Sequence, residues 1–316
     1  MELFRLNKVT TRWLINQIQP FTHEPVKSFG VTTEIKVLCA LRFYATGCYQ
    51  RSIGQDFNCG LSQSSVHRCI REITNVIYEH LCDQHINFPN TRRERNLIKN
   101  EFMVRWGFPG TIGAIDCTHI AILKPPIEEH NFINRKGYHS LNVQIICDHN
   151  LKINNMFANF GGSTHDSFIW RNSIIQRYLR TLHENGEDNI WLIGDSGYPL
   201  QPYLLTPIGN AVEGTPEHRY NVSHIQARNC VERCIGVLKT RFRCILKERT
   251  SRYSPNYNAK LVTVCAALHN ICIAENIPLD EEILPPEELD LLPHQNENLF
   301  NEGQNQRQLV VHRYFQ

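Results

Sequence analysis

The sequence lacks the features that mark a membrane-spanning or a secreted protein. It contains no run of about 18 apolar residues, the length that a membrane-spanning helix needs, so we expect no membrane segment. The opening residues, Met1–Gln17, mix charged and polar side chains too early for a signal peptide. We therefore expect an intracellular protein. No internal repeat is present that would predict a solenoid or a propeller.

The sequence also lacks any Cys-x-x-Cys pair, although it has 12 cysteines. They are scattered along a large chain without a secretory signal, which favours reduced thiols buried as small core residues over disulfides. A zinc site is the alternative, because Cys265, His269 and Cys272 have spacings of four and three residues, and Cys230 and Cys234 are four apart. These positions also follow the apolar stripes of helices, which favours the core interpretation.

Charge is divided unevenly along the chain. Residues 1–274 hold 31 basic and 22 acidic side chains, whereas residues 275–316 hold two basic and nine acidic ones. A basic body favours a polyanionic partner such as nucleic acid. After Pro278 the sequence is acidic, rich in Asn and Gln and without apolar periodicity. We therefore predict a flexible tail over residues 275–316.

Residues 1–90 have the pattern of a helical region that includes a helix-turn-helix. Apolar spacing predicts helices over Glu34–Ala45 and Ser52–Phe57 and, beyond a turn at Gly60, a longer helix capped by Ser62. Polar residues at the start of that longer helix would face DNA in a helix-turn-helix, namely Gln63, Ser64, His67 and Arg68. Helical hairpins also occur for purely structural reasons, so both interpretations stay open.

Residues 91–274 alternate between strand and helix patterns, which predicts an α/β domain. The capping-box sequence Thr91-Arg92-Arg93-Glu94 begins a helix that runs to about Arg105. The predicted strands are Thr111–Leu123, Leu141–Cys147, Ile153–Phe160 and Asn189–Gly194. The further predicted helices are Ser167–Leu182, 226–247 and Asn258–Ala274. Between them, Tyr198–Val222 is rich in Pro and Gly and is predicted to be a loop.

Three carboxylates in this region are candidate metal ligands and catalytic residues. Asp116 interrupts an apolar strand, where an ionised carboxylate is costly unless it is paired or bound to metal. Asp195 follows the C-terminal end of a short apolar strand, and Glu232 lies beside the apolar stripe of helix 226–247. Brought together, the three would repel one another unless divalent cations bound them. An oxygen-only donor set suits Mg²⁺ or Mn²⁺, and two such ions can support phosphodiester cleavage.

Basic side chains on the helix that carries Glu232 would hold a polyanion near these carboxylates. They are Arg228, Arg233, Lys239, Arg241, Arg243 and Lys247. Each carboxylate alone has a simpler interpretation, because an Asp at a strand end commonly forms a turn and a helical Glu commonly pairs with Arg. Spacing and context leave both interpretations open.

Sequence blocks around the three carboxylates closely resemble the catalytic blocks of Harbinger-type (PIF/Harbinger) DDE transposases. The blocks are GAIDCTH (113–119), GDSGYPL (194–200) and RNCVER (228–233). Further blocks resemble the same family, namely KGYHSLNVQ (136–144), GGSTHDS (161–167) and ALHN (267–270). The resemblance runs from about Phe108 to Ala274 and includes nucleases derived from these transposases.

The resemblance implies an RNase H-like mixed sheet flanked by helices, following the N-terminal helical region. It also implies that Asp116, Asp195 and Glu232 are the catalytic metal ligands of a DNA-cleaving, Mg²⁺- or Mn²⁺-dependent enzyme over residues 91–274. Three more residues of the blocks, His119, His165 and Asp166, are candidates to support the metal ligands through hydrogen bonds. For His119, a purely structural hydrogen-bonding role is an equal alternative. The family further implies a separate Myb/SANT-like DNA-binding partner and transport into the nucleus, with a cytoplasmic pool and a homo-oligomer left open.

Two other functions stay open at this point. Transposase-derived proteins can keep the carboxylates after losing transposition, so the chain could be a non-catalytic DNA-binding or adaptor protein on a nuclease scaffold. An RNase H-like enzyme could also act on RNA. The residues themselves do not decide between these functions, whereas metal binding and substrate cleavage would.

Overall fold

The computed structural model describes residues 3–23, 25, 30–57, 59–279 and 297–316. Its helices are α1 (Lys8–Ile18), α2 (Thr33–Thr46), α3 (Gln50–Gly54), α4 (Gln63–His80), α5 (Cys82–His85), α6 (Arg92–Trp106), α7 (Asp166–Arg171), α8 (Ile174–Glu184), α9 (Pro216–Arg241), α10 (Pro255–Ala274) and α11 (Glu297–Tyr314). Its strands are β1 (Thr111–Ala121), β2 (Ser140–Cys147), β3 (Ile153–Gly161), β4 (Trp191–Ile193) and β5 (Leu204–Leu205). Within these residues, no helix has the length and apolar character to cross a membrane. All 12 cysteines are free thiols.

The strands form a mixed five-stranded sheet in the order β3-β2-β1-β4-β5, flanked by helices, which confirms the predicted fold class. Strand β1 is parallel to β4, and β4 is parallel to β5. The register pairs Ala114 with Ile193. Asp116 and Asp195 each lie two residues beyond that pair in sequence. Because the two strands are parallel, both aspartates lie toward the same end of the adjacent strands.

The chain divides into two compact units that are interleaved in sequence. The first comprises the described residues of Met1–Ile86, His119–Leu141 and Gly236–Leu284, and the second those of Asn87–Thr118, Asn142–Ile235 and Pro285–Gln316. In the first unit α2 and α10 both pack against α4. Tyr44 Oη and Thr74 Oγ1 share a buried hydrogen bond of 2.8 Å, and the Tyr257 hydroxyl donates to the Ile70 carbonyl at 3.2 Å.

The core of the second unit lies between the sheet and its helices. Ile112 and Ile115 of β1, Leu192 of β4 and Trp170 of α7 belong to one buried apolar cluster. The alternation along β1 turns Ile115 to one face and Asp116 to the other. The same strand that supplies the core therefore also presents a carboxylate.

Most predicted elements are confirmed, with differences where helices begin and end. Ser62 caps α4, and the Thr91–Glu94 capping box begins α6. The predicted helix over Ser167–Leu182 is instead two helices, because the Ser173 side chain accepts from Ile175 N and starts α8 anew. The predicted short helix over Ser52–Phe57 is α3, which begins two residues earlier and ends three residues earlier, at Gly54.

Two predictions about loops were wrong in part. The predicted loop Tyr198–Val222 contains β5 and the first turns of α9, and α9 ends at Arg241 rather than 247. Thr215 explains the early start, because its hydroxyl accepts from His218 N at 3.2 Å next to a first-turn proline. Residues 297–314 of the predicted flexible tail form α11, and 280–296 lie outside the described residues.

Candidate metal and catalytic site

The three predicted catalytic carboxylates converge on one guanidinium group in the second unit. Arg228 Nη2 lies 3.2 Å from Asp116 Oδ2 and 3.9 Å from Asp195 Oδ2, and Arg228 Nη1 makes a short hydrogen bond to Glu232 Oε1. Asp116, Asp195 and Arg228 are buried, while the Glu232 side chain is 21% exposed. Side chains from β1, from the end of β4 and from α9 therefore meet at one point.

Backbone amides fix the orientation of both aspartates. Cys117 N donates to Asp116 Oδ1 at 2.8 Å, and Gly197 N donates to Asp195 Oδ1 at 2.9 Å. In each aspartate, Oδ1 is held by the chain and Oδ2 is directed toward Arg228. The paired arrangement leaves one oxygen of each carboxylate for a shared cation.

Gly194 allows the chain to turn tightly after β4. A Cβ atom at Gly194 would lie 3.1 Å from Ile115 Cγ2 and 3.1 Å from the Tyr198 ring, tighter than ordinary packing contacts. Tyr198 is buried, and its hydroxyl lies 3.2 Å from Cys117 Sγ. The ring closes the turn against β1, so the loop that presents Asp195 is anchored beside Asp116.

Helix geometry explains how α9 supplies both a cation and a carboxylate. Arg228 and Glu232 are four residues apart, so they share one face of the helix and form an ion pair along it. The Arg228 guanidinium is 7% exposed, and its Nε atom has no hydrogen-bond partner among the described residues. Its charge is therefore directed at the carboxylates rather than at solvent.

Burial disfavours the charged forms of the two aspartates. Burial raises the pKa of Asp116 to about 8, and Asp195 and Asp166 raise it too, while Arg228 lowers it. Burial likewise raises the pKa of Asp195 to about 6, against the guanidinium of Arg228 and with a contribution from Asp166. One internal cation thus does not fully compensate the buried carboxylates.

Asp166, predicted to support the metal ligands, lies close enough to raise the pKa of both Asp116 and Asp195. It occupies the first position of α7. Asn142 of β2 holds it, because its Nδ2 donates to Asp166 Oδ1 and to the Thr164 carbonyl, both at 2.8 Å. His165, the residue before the helix, is exposed. Asp166 is therefore a fourth carboxylate of the cluster.

His119, the third residue predicted to support the site, belongs to the first unit. Its Nδ1 atom lies 3.0 Å from Ser140 Oγ, and Asn134 Nδ2 donates to that same hydroxyl at 3.0 Å. The His119 carbonyl accepts from Lys239 Nζ at 3.2 Å. These contacts give His119 a structural hydrogen-bonding role within its own unit.

The basic side chains that were predicted to hold a polyanion near the carboxylates differ in their exposure to solvent. Lys239 and Arg241 are buried, and Arg241 Nη2 donates to the Ile277 carbonyl at 3.2 Å. Arg228 is committed to the carboxylates. Arg233 and Arg243 are exposed and keep their charge at the surface. Within this stretch, therefore, only some of the cations remain available to a polyanion.

The predicted helix-turn-helix residues lie at the start of α4, in the first unit. Gln63, Ser64 and Arg68 are exposed. His67 is half-buried, and its Nδ1 atom lies 3.2 Å from Gln50 Nε2. The short α3, a turn and the longer α4 reproduce the predicted order of elements.

The donor atoms of the carboxylate cluster are oxygens, the type that hard divalent cations prefer. In the described part of the chain, no three His, Cys, Asp or Glu side chains stand together as a ready-made metal group. Three carboxylates nevertheless place oxygens within 3.9 Å of one cationic group, and oxygen-only donors suit Mg²⁺ or Mn²⁺. The alternative zinc residues Cys265, His269 and Cys272 are buried in α10, and Cys265 Sγ lies 3.7 Å from Cys244 Sγ.

Sequence reasoning missed the roles of two residues at this site. Arg228 was expected to face a polyanion, and Asn142 was placed in a family block without a role. The four-residue spacing of Arg228 and Glu232 was a readable signal of their ion pair. The contacts of Arg228 with Asp116 and Asp195 join residues far apart in the chain, and no local sequence pattern predicts such contacts.

Comparisons with known proteins identify the family. A family model described as "DDE superfamily endonuclease" matches residues 115–270. "Putative nuclease HARBI1" of Homo sapiens is 30% identical over 91% of this chain and 87% of its own length. The Xenopus laevis protein of that name is 31% identical with the same shares, and "Protein ALP1-like" of Arabidopsis thaliana is 28% identical over 89% of this chain and 72% of its own length. No solved structure matches the chain at comparable significance. The chain therefore belongs to the DDE superfamily endonucleases, in the group of Harbinger transposase-derived, HARBI1-like proteins.

Proposed function

We propose that this protein is a divalent-metal-dependent DNA endonuclease whose metal ligands are Asp116, Asp195 and Glu232. The observation that carries the proposal is their convergence within 3.9 Å of a single guanidinium, from two strands and a helix. Buried carboxylates gathered at one point are costly for folding, and a cation that binds them offsets that cost. A cluster of this kind has a clear use in metal-assisted phosphodiester cleavage.

Bound Mg²⁺ or Mn²⁺ would supply the Lewis acidity that activates water and stabilises the leaving oxygen, in a two-metal arrangement. The chain's own residues orient the ligands. The amides of Cys117 and Gly197 hold one oxygen of each aspartate, so the other oxygen needs no reorganisation to accept a cation. Burial of Asp116 and Asp195 excludes water that would compete for that position.

Arg228 has two successive roles in this proposal. Before metal binds, its guanidinium balances the three carboxylates. With the charge of the carboxylates balanced by bound metal, the guanidinium would be available to a phosphate, for which its planar pair of donors is suited. Arg228 would therefore act first as a counter-ion of the carboxylates and then as a phosphate ligand.

Metal binding is tested first, without reference to activity. A ligand that binds only the folded state raises the melting temperature in proportion to the logarithm of its concentration. We expect Mn²⁺ to raise the melting temperature of the wild type and to leave that of Asp116→Ala unchanged. Glu217→Gln, an exposed carboxylate on the same helix, serves as the matched control and should respond like the wild type.

Cleavage is tested second, on supercoiled plasmid DNA with Mg²⁺ or Mn²⁺. We expect nicking or linearisation by the wild type and by Glu217→Gln, and none by Asp195→Asn or Glu232→Gln or in the presence of a chelator. Parallel reactions with RNA and RNA–DNA hybrid decide the substrate. Cleavage of RNA alone would replace the DNA endonuclease with an RNA nuclease.

A non-catalytic DNA-binding or adaptor protein is the second candidate, and Arg228 is the observation that favours it. An internal guanidinium already offsets part of the charge of the carboxylates, so the fold depends less on a bound metal. If the wild type binds DNA but shows neither a metal response nor cleavage, the adaptor function replaces the nuclease. A Myb/SANT-like partner and a nuclear location stay predictions from the family resemblance.

A further inference from the structure

The first unit contains a cavity of about 680 Å³ that the carboxylate site does not use. We name it the Tyr49 cavity. Its walls are Gly47–Ser52, Gln63 and His67 of α4, and Glu248–Tyr253, completed by Phe43, Leu123 and Cys244. All of these residues belong to the first unit. Cavities that hold small molecules have volumes of roughly 300–1,000 Å³, so there is room for a nucleotide.

The lining of the Tyr49 cavity favours an anion. Three arginines line it, Arg51, Arg249 and Arg252, against one carboxylate, Glu248. All three arginines are exposed, so their guanidinium groups can reorient toward an incoming ligand. Planar guanidinium donors match the geometry of phosphate oxygens. A phosphate-bearing ligand is therefore complementary to this surface.

Aromatic rings give the same cavity flat apolar faces. Tyr49 is 69% exposed, and the Arg252 guanidinium lies 5.4 Å from the centre of its ring. Elsewhere in the lining, the His67 and Tyr253 rings are stacked with centres 5.9 Å apart. The Tyr253 hydroxyl accepts from Gln50 Nε2 at 2.8 Å, which holds that ring in place. The lining thus contains one pair of rings held by a hydrogen bond and one largely exposed ring.

Arginines and aromatic faces in one concave site are the combination that binds unpaired nucleotides, because guanidinium groups hold the phosphate and rings stack on the base. We propose that the Tyr49 cavity binds an unpaired nucleotide of the DNA substrate. This inference rests on the proposed function for the identity of the nucleic acid. It also gives Gln63 and His67 a different role from reading a major groove, because both side chains line a concavity.

Binding is measured with the full chain in Ca²⁺ or chelator, so that cleavage does not interfere. Fluorescence anisotropy compares a blunt duplex, the same duplex with a three-nucleotide overhang, and that overhang with abasic sites. We expect roughly tenfold tighter binding to the overhang that has bases, since stacking of one base on an aromatic ring is typically worth that much. A 2-aminopurine in the overhang should be quenched on binding.

Tyr49→Ala and Arg252→Ala should each remove the overhang preference and the quenching. Tyr314→Ala is the matched control, because Tyr314 is 41% exposed and its ring carries Arg313 at 5.5 Å, outside the cavity. The exposure of Tyr49 means that its removal leaves the core intact, which a melting curve checks. Equal affinity for all three DNAs, or unchanged quenching in Tyr49→Ala, would overturn the proposal. So would displacement of the overhang by an acidic peptide at equal concentration.

The two proposals fail in different ways. If the protein shows the Tyr49-dependent overhang preference but never cleaves DNA, the cavity proposal stands and the endonuclease proposal is overturned. If it cleaves DNA but shows no preference for the overhang, the endonuclease proposal stands and the cavity proposal is overturned. Asp195→Asn should retain the overhang preference. Absence of binding to any DNA would overturn the cavity proposal, and cleavage in Mn²⁺ would still be measured separately.

Discussion

Arg228 reaches from α9 to β1 and places its Nη2 atom 3.2 Å from Asp116 Oδ2, although 112 residues separate the two in sequence. Both side chains are buried. A buried ion pair is strongly destabilised when one partner is removed, because the other is left without compensation. The stability of the metal-free protein should therefore depend on this guanidinium, and so should its response to metal.

Replacing the guanidinium tests that dependence. In chelator, we expect Arg228→Gln to lower the free energy of unfolding by about 3 kcal/mol, because the carboxylates lose their counter-charge. Mn²⁺ should then raise the melting temperature of Arg228→Gln by more than that of the wild type, because nothing has to be displaced. Urea denaturation measures the free energy of unfolding, and thermal melts with and without Mn²⁺ measure the shift in melting temperature. Exposed Arg233→Gln on the same helix should change stability by less than about 0.5 kcal/mol. An Arg228→Gln protein as stable and as metal-responsive as the wild type would rule out the counter-ion role.

His224 should make stability depend on pH below neutrality. It is fully buried, and burial lowers its pKa to about 3, against the hydrogen bond with the Leu205 carbonyl. The unfolded chain therefore binds a proton below about pH 6.5 that the folded chain does not, and stability falls as pH falls from there toward 3. The loss is at most about 1.4 kcal/mol per pH unit. Between pH 7 and 5, the wild type should lose roughly 2 kcal/mol more than His224→Gln does. His218→Gln on the same helix should follow the wild type, and parallel curves for all three would contradict the prediction.

Gly110 and Gly137 separate steric conflict from backbone strain. Both have positive φ, 67° and 76°. A Cβ at Gly110 would lie 2.3 Å from the Trp191 ring, whereas nothing lies within 4 Å of one at Gly137. We expect Gly137→Ala to cost about 1 kcal/mol from strain alone. Gly110→Ala should cost roughly 3 kcal/mol or more, because a buried tryptophan must also move. If urea denaturation gives equal losses in the free energy of unfolding for the two variants, Trp191 moves aside at little energetic cost.

The capping box of α6 provides a local test. Thr91 Oγ1 accepts from Glu94 N at 3.2 Å, and Glu94 Oε2 accepts from Thr91 N at 3.0 Å. Thr91→Ala removes the first bond and should cost about 1 kcal/mol. Thr91→Ser keeps the hydroxyl, so its free energy of unfolding should stay within a few tenths of a kcal/mol of that of the wild type. A Ser variant as unstable as the Ala variant would mean that the methyl group, rather than the cap, matters.

Features that depend on a few neighbouring residues were predictable from the sequence. The Thr91–Glu94 box and the Ser62 cap could be placed because each motif satisfies helix amides within four residues of itself. The break at Ser173 carries the same kind of signal, but apolar periodicity alone runs through it. The start of α9 beside Thr215 could have been recognised in the same way.

The arrangement of the site was only partly predictable. The acidic residues stand out because a carboxylate in an apolar strand needs a partner. Which partner it takes depends on the β1–β4 register and on the face of α9 that packs inward. Those are consequences of packing over the whole unit, so the sequence led to the carboxylates but did not indicate the contacts that Arg228 makes with them.

Helix α11 and the residue after it pack against the rest of the second unit, so changes at this end of the chain affect that packing. Arg307 Nη1 donates to the Pro207 carbonyl at 3.0 Å, and the Phe315 ring lies 5.9 Å from that of Phe108 and 5.7 Å from that of Tyr220. A chain that stops before residue 297 would lack Phe315, so the rings of Phe108 and Tyr220 would lose that cover. Apolar surface exposed in this way favours aggregation of the protein. A bulky group attached directly after Phe315 would compete with the same packing.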